Sequence, residues 1–250
     1  MSAAATPPPV TTPLRSRQEV AEATMAFRFD KPPGWVFKAG QYLDMTLLSP
    51  AETDAEGNIR SFSIAAGPDE DSLMITTRMR DTAFKRVLKT MPMGTAVQIE
   101  GPSGDLTLQS DSTRPAVFLA GGIGITPFRS MLADAAHRKL PHRLFLFYSN
   151  RRPEDAPFLE ELQALQKENP RYTFIPSMSE MAASHRPWTG ETGLIDQAML
   201  SRHLSGHSSG LSTPVYYVAG PPGMVKALQE MLTKQSVNAA DIHAEEFSGY

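Results

Sequence analysis

Three glycines within four positions, Gly121, Gly122 and Gly124, carry the first chemistry legible in the chain. A residue without a Cβ lets the backbone approach a ligand closely. The apolar run Val117–Ala120 before them reads as a short buried strand. Helical spacing follows from Pro127 onward. Thr126 suits the N-cap, and Pro127 suits the first helical position, where its missing N–H is not needed. Strand, glycine turn and helix start together make a cradle for pyrophosphate, because free N–H groups and the positive end of the helix dipole converge on the anion. Pro127 stands where the pattern G-x-G-x-x-G has its third glycine. A plain strand-to-helix turn carries the same punctuation.

The second candidate is Arg60-Ser61-Phe62-Ser63. A guanidinium neutralises a flavin phosphate, a flat aromatic stacks on an isoalloxazine, and a serine hydroxyl hydrogen-bonds the ring nitrogen through which hydride passes. On a strand, Arg60 and Phe62 share one face and Ser63 points to the other. An ordinary strand with a surface arginine and a core phenylalanine reads the same way. The third candidate, Ser149-Asn150-Arg151-Arg152, ends the apolar run Leu144–Tyr148. A site for NAD asks for an acidic residue at that edge, whereas Ser149, Arg151 and Arg152 suit the 2′-phosphate of NADPH. A solvated basic turn is the plainer alternative, and NADH stays open as donor. Glu154 and Asp155 fit the first turn of the next helix, where the dipole favours acids.

Composition bounds what surrounds these residues. The 250-residue chain is 41% hydrophobic, enough for a sizeable core, and carries a net charge of −3. Nothing in that balance favours nucleic acid or an anionic membrane. With no cysteine, disulfides, cysteine nucleophiles and cysteine-held iron–sulfur clusters are excluded. The histidines have no compact metal-ligand spacing, so no metal is expected. No run is long and apolar enough to span a membrane, and the N-terminus lacks the features of a secretory signal, so a cytoplasmic place is expected. Residues 1–13 read as a disordered Ala/Thr/Pro tail.

Two patterns follow the tail. Residues 14–112 hold short alternating runs with turn signals, including two strands read around Gly101-Pro102-Ser103-Gly104, and one short helix capped by Asp81 or Thr82. These suggest a small antiparallel barrel. Residues 113–250 alternate strands and helices, which implies a parallel sheet with helices on both faces and ligands at the carboxyl ends of its strands.

In this order, the motifs Lys38-Ala-Gly-Gln-Tyr42, Arg60–Ala65, Gly101–Leu108, Ala120–Phe128, Tyr217–Leu228 and Glu245–Tyr250 resemble those of the ferredoxin–NADP reductase-like flavoenzymes. The resemblance covers nearly the whole chain after the tail. It implies an FAD-binding barrel (FMN being the lesser alternative) followed by a domain for NADPH or NADH. By the same resemblance, Arg60, Phe62, Ser63 and the adjoining Ile64 hold the flavin, with Phe62 where tyrosine is commoner. Met79, Arg80, Thr82 and Ala83 take its phosphate side, at a helix start that lacks the family's usual glycine. Gly121, Gly122, Gly124, Thr126 and Pro127 match the nucleotide pyrophosphate loop. Gly220, Pro221 and Met224 match a second loop beside the nicotinamide, with Ala219 where cysteine is frequent. Phe247 and Tyr250 cover the flavin face, so that Ser63, Phe247 and Tyr250 form the catalytic set. The implied reaction passes hydride from NAD(P)H to flavin and then electrons to a separate acceptor, a small redox protein such as ferredoxin or flavodoxin, from a monomer or weak oligomer. Reduction of a small acceptor (free flavin, a quinone or a ferric complex) is one alternative. A regulatory module that binds flavin or nucleotide without turnover is the other.

Overall fold

Along β3 (Tyr42–Leu47), Leu43, Met45 and Leu47 are buried while the residues between them are half-exposed. That period of two marks a strand with one wet face. In the computed structural model, which describes residues 8–205 and 213–248, six strands of this region join into one antiparallel sheet. They are β1 (Val10–Ala21), β2 (Thr24–Asp30), β3, β4 (Ile59–Ser63), β5 (Ser72–Arg78) and β6 (Ala96–Ser103), in the order β4-β3-β6-β1-β2-β5. Just past β4, the Ala65 N–H donates to the Met74 carbonyl of β5 at 2.7 Å. This bond brings the two edges together and curls the sheet toward a barrel. Helix α1 (Ala83–Thr90) is capped by Thr82, whose hydroxyl accepts from the Lys85 N–H at 3.4 Å.

Two expectations are corrected here. The sheet begins at Val10, inside the expected tail, because Val10–Pro13 pair with Ala96–Ile99 of β6; residues 1–7 of that tail lie outside the described residues. The second strand expected after Gly101-Pro102 does not form. β6 already has β3 on one side and β1 on the other, so no free edge remains for it. Instead the Gln109 N–H donates to the Tyr217 hydroxyl at 2.9 Å, tying the connection to the second sheet.

The second sheet is parallel, in the order β10-β9-β8-β7-β11-β12. Its strands are β7 (Ala116–Gly121), β8 (Leu144–Asn150), β9 (Tyr172–Met178), β10 (Glu191–Thr192), β11 (Val215–Gly220) and β12 (Ile242–Glu246). Between them run α2 (Ile125–His137), α3 (Leu159–Glu168), α4 (Gln197–Leu204) and α5 (Pro222–Lys234). The short β12 has no apolar run to betray it. It forms because β11 offers an open edge, which Ile242–Glu246 pair from Tyr216 to Gly220.

Alternation along β7 divides the interior. Phe118 and Ala120 pack with Phe128 and Leu132 of α2 and with Leu159 of α3, in a cluster continuous with the barrel core. Val117 and Leu119 face the other way, among Met199 of α4 and Val225 and Leu228 of α5. Helix α2 also bonds directly to the first sheet. The Arg129 guanidinium donates to the Ala65 carbonyl at 2.6 Å and pairs with Glu70 at 2.9 Å, and the Ser130 hydroxyl donates to the Ala66 carbonyl at 2.6 Å. These bonds fix the chain just past Ser63 against the helix that starts at the glycine cradle.

Candidate functional site

Sheet order alone locates a crevice. The connections from β7 lead to β8 on one side, while β11 lies on the other, so the chain reverses direction between β7 and β11. Ligands of such sheets bind outside the carboxyl ends of the strands at that point. A cavity of about 740 Å³ lies there, lined by Gly121 and Gly122 after β7, Ser149, Asn150 and Arg151 at β8, and Pro221 and Met224 at α5. That volume suits a ligand of nucleotide size.

The glycines are set by how closely two backbones meet. A Cβ on Gly124 would fall on the Ala219 carbonyl and lie 2.6 Å from the Gly220 nitrogen. One on Gly121 would strike the Met224 sulfur and lie 3.1 Å from Pro221 Cδ. The loop after β7 therefore rests on the end of β11, and Gly121 and Gly122 line the cavity. From behind, the buried Tyr148 hydroxyl donates to the Gly122 carbonyl at 3.1 Å.

The helix entry differs from expectation. Gly122–Gly124 form a 3-10 turn that runs directly into α2, and Gly124 takes the N-cap position without a side-chain bond. Thr126 is buried inside the first turn, its hydroxyl donating to the Ile123 carbonyl at 3.0 Å, so it is not the cap. Pro127 is the third helical residue. It is tolerated because the first four N–H groups of a helix have no intrahelical partner.

The two arginines after β8 part company. Arg151 lines the cavity and is half-exposed, whereas Arg152 turns away and donates to Asp155 at 2.9 Å and to Glu22 of the first sheet. Asp155, nearly inaccessible, also meets Arg78 and Arg151 at 3.4 Å each. The Arg152 hydrogen bond holds its carboxyl below the usual range against the cost of burial, with Arg151 and Arg78 adding to the effect. Three guanidiniums meet this one carboxylate; of them Arg78 and Arg151 line the cavity, together with Asp155 and Glu180. Neither Glu154 nor Asp155 belongs to the first turn of α3, which starts at Leu159. Both lie in the 3-10 turn Pro153–Asp155, where the Glu154 carboxylate accepts from the N–H groups of His185 and Arg186.

The second set of candidates gathers around Phe84. The Phe62 ring lies 5.9 Å from it, and the Arg60 guanidinium sits over it at 5.3 Å. Ser63 is buried at the end of β4, and Ile64 is fully buried beside it. Ala83 opens α1 after Thr82; Arg80 is exposed, and the Met79 N–H donates to the Ala23 carbonyl at 2.7 Å. The anion-seeking groups here already hold anions of the chain itself. Glu56 pairs with Arg60 at 2.6 Å, and the Asp54 carboxylate accepts from the Ala83 N–H at 2.9 Å. That bond from Ala83 holds the Asp54 carboxyl below its ordinary range. Lys85 sits among these cations: burial first, then Arg80 and Arg60, push it down to about 8. The donor set fits a phosphate, with two carboxylates now in the phosphate's role. Phe247 follows β12, its N–H donating to the Gly220 carbonyl at 3.0 Å, and Tyr250 lies outside the described residues.

Residues 118–230 match the family model described as an oxidoreductase NAD-binding domain. A ferredoxin–NADP reductase B of Sorangium cellulosum is 28% identical over 227 residues, which cover 88% of this chain and 89% of that one. Reductase component 1 of a Comamonas terephthalate 1,2-dioxygenase is 28% identical over 215 residues, covering 85% of this chain but 60% of that protein. A solved ferredoxin–NADP⁺ reductase from Neisseria gonorrhoeae with bound FAD and NADP superposes with a TM-score of 0.76 at 20% identity, covering 95% and 98% of the two chains. The chain is thus similar, over most of its length, to ferredoxin–NADP reductases and to reductase components of oxygenases, and residues 118–230 carry the NAD-binding domain.

The structure collects Gly121, Gly122, Ser149, Arg151, Pro221 and Met224 on one cavity and leaves Arg152, Thr126 and Pro127 off it. Arg78 and Ser179 line the cavity without having been singled out, and Asn150, inside the third candidate, lines it without having been given a role. Ser179 follows β9 directly, so the carboxyl-end rule applied to that strand would have found it. Arg78 ends a strand of the other sheet, and no local pattern tells that the two sheets meet there.

Proposed function

We propose that this chain is an NAD(P)H-dependent flavoprotein reductase that passes electrons to a separate acceptor, a small redox protein. One observation carries the reading: a nucleotide-sized, glycine-walled cavity at the switch point of the parallel sheet, with Arg151 on its wall and Arg78 contributed by the first sheet. Residues 113–250 then bind the donor and residues 14–112 the flavin. The N–H groups after β7 take the pyrophosphate, and Arg151 with Ser149 takes the 2′-phosphate of NADPH. Arg60 and the start of α1 take the flavin phosphate, and Phe62 and Ser63 take its ring. When bound, the flavin supplies hydride acceptance and single-electron release. The protein's share is positioning: Arg129 and Ser130 hold the segment after Ser63 against α2, and the catalytic advantage comes from such pre-set placement. A cysteine-free chain with no membrane-crossing helix among the described residues is compatible with a cytoplasmic place.

A second reading, a nucleotide-binding module without flavin, is favoured by the hold of Glu56 and Asp54 on the Arg60 and Ala83 donors. One anaerobic visible spectrum separates the two. Flavin bands that bleach on addition of NADPH support the reductase. Failure to take up FAD or FMN at all refutes it and leaves the module.

A further inference from the structure

Asn150 closes β8 on the wall of the nucleotide cavity and is only 6% exposed. Its side-chain Oδ1 and Nδ2 are both shut from solvent, and neither has a hydrogen-bond partner among the described residues. Leaving even one such group dry and unpaired costs about 1–3 kcal/mol. Folds keep that cost where it serves something other than stability. The Asn150 carbonyl accepts from the Ser179 N–H at 3.0 Å, so the strand end is fixed while the amide is not.

The position has a meaning in parallel sheets that bind dinucleotides. The end of the strand next to the glycine-loop strand meets the adenosine ribose, and an acid there accepts from its hydroxyls. Gly121 pairs with Ser149 in this sheet, so Asn150 stands one residue beyond the cradle's own level. An amide differs from an acid in having both a donor and an acceptor and no charge. Its oxygen accepts from a ribose hydroxyl, and its nitrogen donates to a phosphate.

We propose that the Asn150 amide turns into the cavity on nucleotide binding and reads the adenosine ribose at its 2′ position, where its neutrality is what admits a 2′-phosphate beside Arg151. This deepens the donor site proposed above and rests on it. Arg151 supplies attraction at the rim. Asn150 supplies the absence of repulsion, which an acid at the same place would bring.

The test is calorimetric titration of the full-length protein with 2′,5′-ADP and with 5′-ADP, together with thermal melting. Asn150→Asp is expected to weaken 2′,5′-ADP by about tenfold or more while 5′-ADP binds as before or more tightly. Asn150→Ala is expected to weaken both ligands while the melting temperature stays level or rises, since the amide holds nothing in the fold. Equal effects of Asn150→Asp on the two ligands would overturn the inference. So would an Asn150→Ala protein that melts lower yet binds both ligands unchanged, because the amide would then be structural. A folded wild type that binds neither ligand removes the donor-site reading itself, and the inference falls with it.

Discussion

Gly124 offers the sharpest test of how the cradle is built. Its backbone is right-handed helical (φ −61°, ψ −5°), which any L-residue adopts, so Gly124→Ala adds no backbone strain. The added methyl meets only main chain: the Ala219 carbonyl, and the Gly220 nitrogen at 2.6 Å. Main chain in a paired central strand cannot rotate aside. Restoring normal contact separates the loop from β11 by at least roughly 0.5 Å. Forced insertions of this kind cost about 1–3 kcal/mol, and each kcal/mol lowers the melting temperature of a chain this size by about 2–4 °C. The same movement parts the N–H groups of Gly121 and Gly122 from α5, so affinity for NADP⁺ falls with stability. Gly223→Ala supplies the control, since a Cβ there meets nothing within 4 Å and the residue lies in the first turn of α5. It should leave the melting temperature level or raise it. Differential scanning calorimetry and NADP⁺ titration on both variants decide the matter. A Gly124→Ala protein with wild-type stability and affinity would refute the close-approach argument.

Other expectations follow from the charges. Arg151→Ala should raise the dissociation constant for NADPH more than that for NADH, whereas Arg152→Ala, at a residue occupied by Asp155 and Glu22, should chiefly lower the melting temperature; identical cofactor effects would remove Arg151 from the 2′-phosphate site. Replacing the two carboxylates in the flavin phosphate's role, Asp54→Asn with Glu56→Gln, should tighten FAD by about tenfold without changing riboflavin, which has no phosphate, as read by flavin fluorescence. Burial disfavours the Glu70 carboxylate, but Arg129 and the Gly67 N–H overcome it and lower its pKa. Its stabilisation is therefore full above the ordinary glutamate range and lost as pH falls through the lowered value, so Glu70→Gln should flatten the acid limb of urea unfolding midpoints against pH. Lys85 should titrate near pH 8 by NMR of a labelled side chain, and the cost of its buried charge should fade as pH rises through that value.

Much of this molecule is written locally. The glycine turn, the apolar run before it and the helix after it are contiguous, and β7, the cradle and α2 appear where those signals stand. Thr82 caps α1 because hydroxyl capping acts over three residues. What stayed illegible depends on distant partners. β12 is a strand only because β11 has an open edge, and Asp105–Gln109 is not one only because β6 has none. Arg151 and Arg152 are identical in sequence terms. Only the folded chain shows that Arg152 is held between Asp155 and Glu22, while Arg151 touches Asp155 at 3.4 Å and lines the cavity.

The alternation along β7 has a further consequence, for cooperativity. The barrel core, α2 and α3 share one continuous apolar cluster, so the two sheets cannot lose their packing independently. The layer of α4 and α5 rests on a separate cluster across the strand and can open as a unit of its own. Ile195, Met224 and Leu228 of that layer also line the nucleotide cavity. A bound nucleotide therefore bridges the two units. Part of its binding energy would emerge as slower amide exchange in α4 and α5, in a region that the melting of the whole chain reports only weakly.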